Sequence, residues 1–299
     1  MSSKIILAGA SGLIGTALKE ALNKQEGLEV HTLVRGQPRG QNEHSWDPDR
    51  SILDADLLAN AQAVISLSGA SVGRLPWTQK YKKLLVDSRI NSTSTIANSI
   101  LKLEKNAPLM WISASAVGFY GSKPGEVLTE DSEVGHTFLA SLCDRWEKEA
   151  LRAKDVTKVA LLRTAPVIHP EGVLKPMIKL TKFGLAGPLA GGKQKWPWIS
   201  LEDEVRAVIH ILKHQIEGPV NLTGPTIATA NDIGRELAKQ MRRPFLIPAP
   251  RFALHMALGK DATQSLLTSD AEVLPKVLEN SGFEFLHDTP KSAITASLS

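Results

Sequence analysis

The heptapeptide Gly9-Ala10-Ser11-Gly12-Leu13-Ile14-Gly15 directly follows the apolar run Lys4-Ile5-Ile6-Leu7-Ala8 and opens a helical pattern. That order constrains the chain more than any other feature. It predicts a strand, a tight glycine turn, and a helix whose first N–H groups face an anion. The first glycine permits the turn, the second lets a pyrophosphate approach the backbone, and the third packs helix on sheet. The spacing is GxxGxxG rather than GxGxxG, so placement between strand and helix, more than the glycines themselves, carries the reading. Gly9, Ser11, Gly12, Leu13, Ile14 and Gly15 are the candidate cofactor-binding residues here, with an ordinary tight turn as the competing reading.

The second candidate strand, Glu29–Val34, ends in Val34-Arg35-Gly36. Enzymes that take NAD place a carboxylate near this point, about 20 residues beyond the glycines, to grip the adenosine 2′-hydroxyl. A carboxylate would repel a 2′-phosphate, whereas a guanidinium pairs with one through two parallel hydrogen bonds. Arg35 therefore predicts NADP over NAD. A solvated strand-end arginine is the alternative.

The remaining apolar runs extend the same logic. Ala63–Leu67, Leu109–Ser113 and Val159–Arg163 read as further strands, and the helical patterns at 13–25, 78–105 and 137–153 alternate with them. The 78–105 pattern reads as amphipathic. Alternation of this kind predicts an α/β, doubly wound, Rossmann-like parallel sheet. Beyond Arg163 the texture changes: Pro166, Pro170, Pro176 and Pro188, with Gly184, Gly187, Gly191 and Gly192, break the pattern into loops. A helix starts at Glu202-Asp203-Glu204, where the acids favour the macrodipole, and a strand-like Pro219–Leu222 follows. The organisation expected is a dinucleotide-binding domain over 1–165, mixed substrate-lobe and returning core elements over 166–225, and a smaller, mostly helical C-terminal domain over 226–299.

Composition narrows the function classes. The 35 Lys and Arg and 31 Asp and Glu are interleaved, and only 5% of residues are aromatic, so a nucleic-acid partner is not expected. No run approaches the ~18 apolar residues of a membrane span, and Met1-Ser2-Ser3 carries no leader pattern. A single cysteine, Cys143, allows no internal disulfide and no Cys-based metal framework. A cytoplasmic, metal-free protein with a small-molecule substrate and no membrane partner is the expectation. His136 and His169 are lone histidines, better suited to surface or loop roles than to catalysis.

Further motifs carry a family resemblance. Ser66-Leu67-Ser68-Gly69-Ala70, Asp87-Ser88-Arg89, Ser113-Ala114-Ser115-Ala116-Val117-Gly118-Phe119-Tyr120-Gly121, Cys143-Asp144-Arg145-Trp146-Glu147, Trp198-Ile199-Ser200 and Val273-Leu274-Pro275 appear in order. With the glycine loop and Arg35, they make the chain resemble the extended short-chain dehydrogenase/reductases. Within these it is similar to an NAD(P)-dependent epimerase-like subfamily whose bacterial members are sometimes labelled cell-division inhibitor homologues. The resemblance implies NADP bound across the C-terminal ends of the strands, beneath a smaller lobe. It places cofactor contacts on Val34, Leu67, Ser68, Gly69, Arg89, Pro166 and Val167 as well. Homologous folds often dimerise through the long helices, so a homodimer is expected.

The resemblance also exposes a departure. Short-chain dehydrogenases use a Ser to hold the substrate oxygen, a Tyr to move its proton and a Lys four residues on to lower the phenol pKa. Ser115 fits the first role, but the Tyr and Lys positions fall on Cys143 and Glu147. Thiolate and carboxylate one helical turn apart disfavour each other, so Cys143 reads first as a small buried residue. Glu147 could accept hydrogen bonds from the cofactor ribose. Ser115 and Tyr120 are the candidate catalytic residues, with a structural role for Tyr120 as its competitor and Lys193 or Lys195 as other proton donors. Trp196 and Trp198 could line a pocket or anchor the core, and Glu202 and Asp203 read as capping residues. The function expected is NADP-dependent oxidation, reduction or epimerisation at a hydroxyl or carbonyl, such as that of a nucleotide-sugar-like compound. A non-catalytic NADP(H)-binding regulator is the alternative.

Overall fold

Ile5, Leu7, Ile65, Ile112 and Leu162 are fully buried, or nearly so, and so are their neighbours Ile6, Val64, Trp111 and Leu161. Strands apolar on both faces must be covered on both sides. The computed structural model, which describes residues 3–299, meets that demand with a parallel sheet between two helical layers. The predicted absence of a leader concerns Met1 and Ser2, which lie outside the described residues.

In chain order the first half runs β1 (Ser3–Ala8), α1 (Leu13–Asn23), β2 (Leu28–Val34), β3 (Glu43–Ser45), β4 (Ala63–Ser66), α2 (Gln79–Leu101), β5 (Met110–Ala116), β6 (Val127–Leu128) and α3 (Phe138–Ala150). The second half runs β7 (Lys158–Thr164), β8 (Val167–Ile168), α4 (Leu174–Lys182), β9 (Ile199–Ser200), α5 (Leu201–His214), β10 (Gly218–Leu222) and α6 (Ala230–Gln240). It closes with α7 (Arg251–Leu258), α8 (Lys260–Ala262), β11 (Glu272–Val273), α9 (Lys276–Asn280) and α10 (Pro290–Leu298). The sheet order is β10-β7-β5-β4-β1-β2-β3, parallel throughout. Strand order reverses at β1, so β1 and β4 flank the switch point, where open α/β sheets bind ligands beyond their strand ends.

Two differences from the sequence reading matter for the site. The fourth predicted strand ends three residues too early: Ala114, Ser115 and Ala116 continue β5, paired with Leu162, Arg163 and Thr164 of β7. The amphipathic reading of the long helix α2 is also corrected, because its buried face mixes Leu85, Ile96 and Ile100 with Ser88, Ser92, Thr93, Thr95 and Ser99. These short polar side chains satisfy themselves locally, as where Ser92 Oγ donates to the Ser88 carbonyl at 2.8 Å, and they leave room for α3 to pack closely.

The segment after residue 226 is tied back to the main core. β11 pairs with β6, and Leu278 and Phe283 join the cluster that includes Ile5 and Ile112. Trp196 and Trp198 are core anchors, buried with Ile168, Ile233 and Leu237. The Trp198 indole donates to the Thr226 carbonyl at 2.8 Å.

Candidate functional site

The glycine loop sits where β1 meets α1, with its backbone already shaped. Gly9 has φ +87°, and a Cβ there would stand 2.7 Å from the Leu67 carbonyl carbon, so the loop and the end of β4 touch through glycine alone. A Cβ on Gly15 would lie 2.1 Å from the Gly9 oxygen, so the helix starts flush against the turn. Gly12 is the N-cap of α1 and brings no side-chain cap, which leaves the N–H groups of the first turn free for an anion. Ser11 and Gly12 are exposed and Leu13 and Ile14 half-buried. A pyrophosphate therefore fits this cradle.

Around the cradle the other expected cofactor residues line the C-terminal edge of the sheet. Val34 ends β2, and Arg35 beyond it is exposed with no ion pair among the described residues. Leu67, Ser68 and Gly69 follow β4. Arg89, on α2, lays its side chain along Gly69, where a Cβ would meet its Cζ at 3.2 Å. The guanidinium stacks over the Trp146 ring at 5.1 Å and donates to the Leu85 carbonyl at 3.0 Å. Burial lowers its pKa, and nearby Cys143 and Tyr81 act in the opposite sense. Most of its five donors remain available to a ligand. Pro166 and Val167 follow β7, Pro166 exposed and Val167 buried in β8.

The candidate catalytic residues lie in a buried polar network. Ser115 Oγ donates to Glu147 Oε1 at 2.6 Å. Arg163 grips the same carboxylate from the other side, Nε to Oε1 and Nη2 to Oε2 at 2.9 Å each. Register explains the meeting: Ser115 of β5 pairs with Arg163 of β7, and α3 brings Glu147 across them. Burial opposes the Arg163 charge, but the bonds to Glu147 and the neighbouring Tyr120 outweigh it and hold the guanidinium above its ordinary range. Glu147 is thus buried and bonded to Ser115 and Arg163, whereas the sequence led to the expectation that it meets the cofactor ribose.

Tyr120 belongs to the same network and not to an open site. Its ring is wholly buried, its hydroxyl donates to Asn221 Oδ1 at 2.7 Å, and Arg163 Nη1 donates back to it at 2.8 Å. Desolvation pushes its pKa to about 12 even against the Arg163 charge. Cys143 is buried beside Gly118, with burial and the Glu147 charge pushing its thiol up to about 12. It is therefore a neutral packing residue. Lys195 is tied to Glu272 and Lys193 is exposed. His136 is exposed, and His169 Nδ1 accepts from the Glu171 N–H.

Sequence reasoning missed four members of this region. Arg163 was visible as a charge inside an otherwise apolar strand, a signal of buried pairing. Asn221 and Glu130 complete the network, Glu130 Oε1 accepting from the N–H groups of Asn221 and Val277 at 3.1 Å each. Glu204, one residue beyond the expected capping pair, is fully buried and accepts from Thr164 Oγ1 at 2.8 Å. Burial pushes its pKa up to about 8. The cap itself is Ser200, while Asp203 is buried and accepts from the N–H groups of Leu286 and His287.

A glycine-turned phosphate cradle at the switch point of a doubly wound sheet, with a serine at the end of β5, defines a dinucleotide-binding protein of the extended short-chain dehydrogenase type. Residues 5–223 match the NAD dependent epimerase/dehydratase family and residues 249–297 a domain of unknown function, DUF1731. The chain belongs to that epimerase family. It is 37% identical to an epimerase family protein of Mycobacterium leprae, over 97% of this chain and 94% of the relative. It is 30% identical to a chloroplastic epimerase family homologue of Arabidopsis thaliana, over 98% of this chain and 86% of that one. Its fold is similar to that of human epimerase family protein SDR39U1, whose crystal structure holds NADPH, with TM-score 0.87, 25% identity and 98% of each chain covered.

Proposed function

We propose that this protein binds NADP(H) and moves hydride to and from a small hydroxyl-bearing substrate, with Ser115 and Glu147 together replacing the usual tyrosine and lysine. The observation that carries this reading is the 2.6 Å bond from Ser115 Oγ to Glu147 Oε1. The serine's one proton is already committed to the carboxylate, so its lone pairs are what it offers a ligand. They suit a substrate hydroxyl, which donates, better than a carbonyl, which accepts.

When bound, the oxidised dinucleotide supplies the hydride acceptor. The protein's part is the proton: the substrate hydroxyl gives its proton to Ser115 Oγ as the serine's own proton passes to Glu147 Oε1. Arg163 fixes the carboxylate in position, and its two bonds to Glu147 prevent the side chain from turning away. Reduction runs the same path backwards. Exposed Arg35 would hold the 2′-phosphate, Arg89 and the glycine-loop amides the pyrophosphate, and Leu67, Ser68, Pro166 and Val167 the rest of the cofactor. The NADPH carried by the human relative supports the choice of NADP.

The second reading, a cofactor-occupancy sensor without turnover, draws on one observation. Tyr120 and Cys143, the phenol and thiol packed around Ser115, are both held neutral with pKa values near 12. Following cofactor absorbance against a panel of secondary alcohols and their carbonyls separates the two readings. Turnover that Ser115→Ala and Glu147→Gln each abolish, with calorimetric NADPH affinity unchanged in Ser115→Ala, supports the enzyme. Tight NADPH binding with no turnover of any member supports the sensor.

A further inference from the structure

Two stretches of the chain carry cations without a single acid. Residues 172–201 contain Lys175, Lys179, Lys182, Lys193 and Lys195, and residues 237–260 contain Lys239, Arg242, Arg243, Arg251 and Lys260, with no Asp or Glu in either. The structure lays these stretches side by side. The N–H groups of Leu246 and Ile247 both donate to the Ala186 carbonyl, at 2.8 and 3.0 Å, and Ala190 N–H donates to the Ala249 carbonyl at 2.8 Å. Gly187 makes the approach possible, since a Cβ there would lie 2.1 Å from the Ile247 oxygen.

The same stretches expose large apolar side chains. Phe183 is 73% exposed, Leu246 74%, Phe252 69% and Met256 84%, with Leu185 and Ile247 about half exposed. Helix α7 buries none of its residues, and Phe252 and Met256, four apart, protrude from one of its faces. Lys179, Lys182, Arg242, Arg243 and Arg251 are exposed and have no acidic partner among the described residues. Other surface cations do meet acids, as in Lys83–Asp87 and Lys148–Asp144. An apolar face set among uncompensated cations is an interaction surface.

We propose that this face, built from the end of α4, the 242–250 strip and α7, docks on an anionic lipid bilayer. This goes beyond the proposed activity and does not depend on it. Charge complementarity selects the occupant. A second copy brought face to face would set these cations against their own images, with no acid in either stretch to compensate. A bilayer rich in phosphatidylglycerol offers anionic headgroups to the five cations and an acyl boundary to Phe183, Phe252 and Met256. The absence of a spanning segment led the sequence reading to expect no membrane partner, but a surface contact needs no span.

The face also lies beside the site. Leu258, at the end of α7, packs in one cluster with Leu139 and Leu142, on the same helix as Cys143, and with Leu85, four residues before Arg89. A docked molecule would therefore hold its catalytic edge near the bilayer.

Flotation of the full chain with vesicles of phosphatidylglycerol and phosphatidylcholine in equal parts, against phosphatidylcholine alone, tests the proposal. Binding to the anionic vesicles alone, weakened by salt, is expected. Arg242→Gln with Arg243→Gln and Arg251→Gln should weaken it about a hundredfold, since each surface cation contributes about fivefold. Phe252→Ser with Met256→Ser should weaken it with the circular dichroism melt unchanged, because both positions are exposed. No flotation with anionic vesicles, or flotation that neither variant weakens, overturns the proposal. So does a concentration-dependent dimer that Phe252→Ser with Met256→Ser dissolves, which would assign the face to a second copy.

Discussion

Arg163 of β7 and Glu147 of α3 form a two-point ion pair, both side chains less than a tenth exposed, directly behind Ser115. The usual arrangement in this fold puts a lysine on the helix and lets it act on a tyrosine and the cofactor. Here the helix carries the anion and the neighbouring strand supplies the cation, so charge at the site is balanced internally. The pair holds Ser115 through Glu147 and the buried Tyr120 hydroxyl through Arg163.

Breaking that pair should be costly. A buried pair that loses one partner leaves an uncompensated charge, at a cost of about 3–5 kcal/mol. Arg163→Met is therefore expected to lower stability by about that amount in urea unfolding, while Arg163→Met with Glu147→Gln recovers part of the loss. Arg163→Met losing less than about 1 kcal/mol would show that the pair behaves as an exposed one.

The proposed preference for NADP rests on Arg35. Charge-assisted hydrogen bonds contribute about 1.5–3 kcal/mol, so Arg35→Ser should weaken NADPH binding by about 10- to 150-fold and leave NADH binding nearly unchanged. Calorimetric titration of both dinucleotides checks this. Equal weakening of the two would mean that the arginine does not meet the 2′-phosphate.

Much of the fold was legible because strands buried on both faces announce themselves as continuous apolar runs, as Ala63–Ser66 and Lys158–Thr164 do. Strands of two or three residues, such as β3 and β6, are too short to show a period. The glycine turn between β1 and α1 was readable because its geometry is local. Partnerships were not: Ser115, Glu147 and Arg163 are brought together by the β5–β7 register and by the crossing of α3, neither of which is written in any one segment. Tyr120 illustrates the cost. Its place in the motif suggested a proton donor, and only the contacts with Asn221 and Arg163 show that its hydroxyl is already occupied.

Buried Glu204 gives a pH dependence whose sign follows from its raised pKa. Its carboxyl titrates near 8 in the folded protein against an ordinary 4.5, so over that interval the native state holds a proton the unfolded chain has released. Its contribution to stability is complete below the unfolded value and is lost as pH rises through about 8. Glu204→Gln keeps the acceptor for Thr164 without the titration. The melting temperature of wild type should thus fall relative to this variant between about pH 4.5 and about pH 8 and level off above it. Parallel pH profiles would show that Glu204 does not titrate in that range.

The phosphate cradle makes the sharpest demand on residue size. Gly15→Ala places a methyl 2.1 Å from the Gly9 oxygen and 2.9 Å from Ala10 Cα, both backbone atoms that cannot swing aside. Gly12→Ala meets only the Gly9 oxygen, at an ordinary 3.5 Å. Gly15→Ala should therefore push α1 off the turn, costing about 1–3 kcal/mol of stability and most of the NADPH affinity. Gly12→Ala should fold with near-normal stability, so that any loss of affinity it shows reports the approach of the pyrophosphate itself. Melting curves with and without NADPH distinguish the two, because a ligand that still binds raises the midpoint in proportion to its affinity. If Gly15→Ala melts and responds to NADPH as wild type does, the close contact between the helix start and the glycine turn is not what shapes the site.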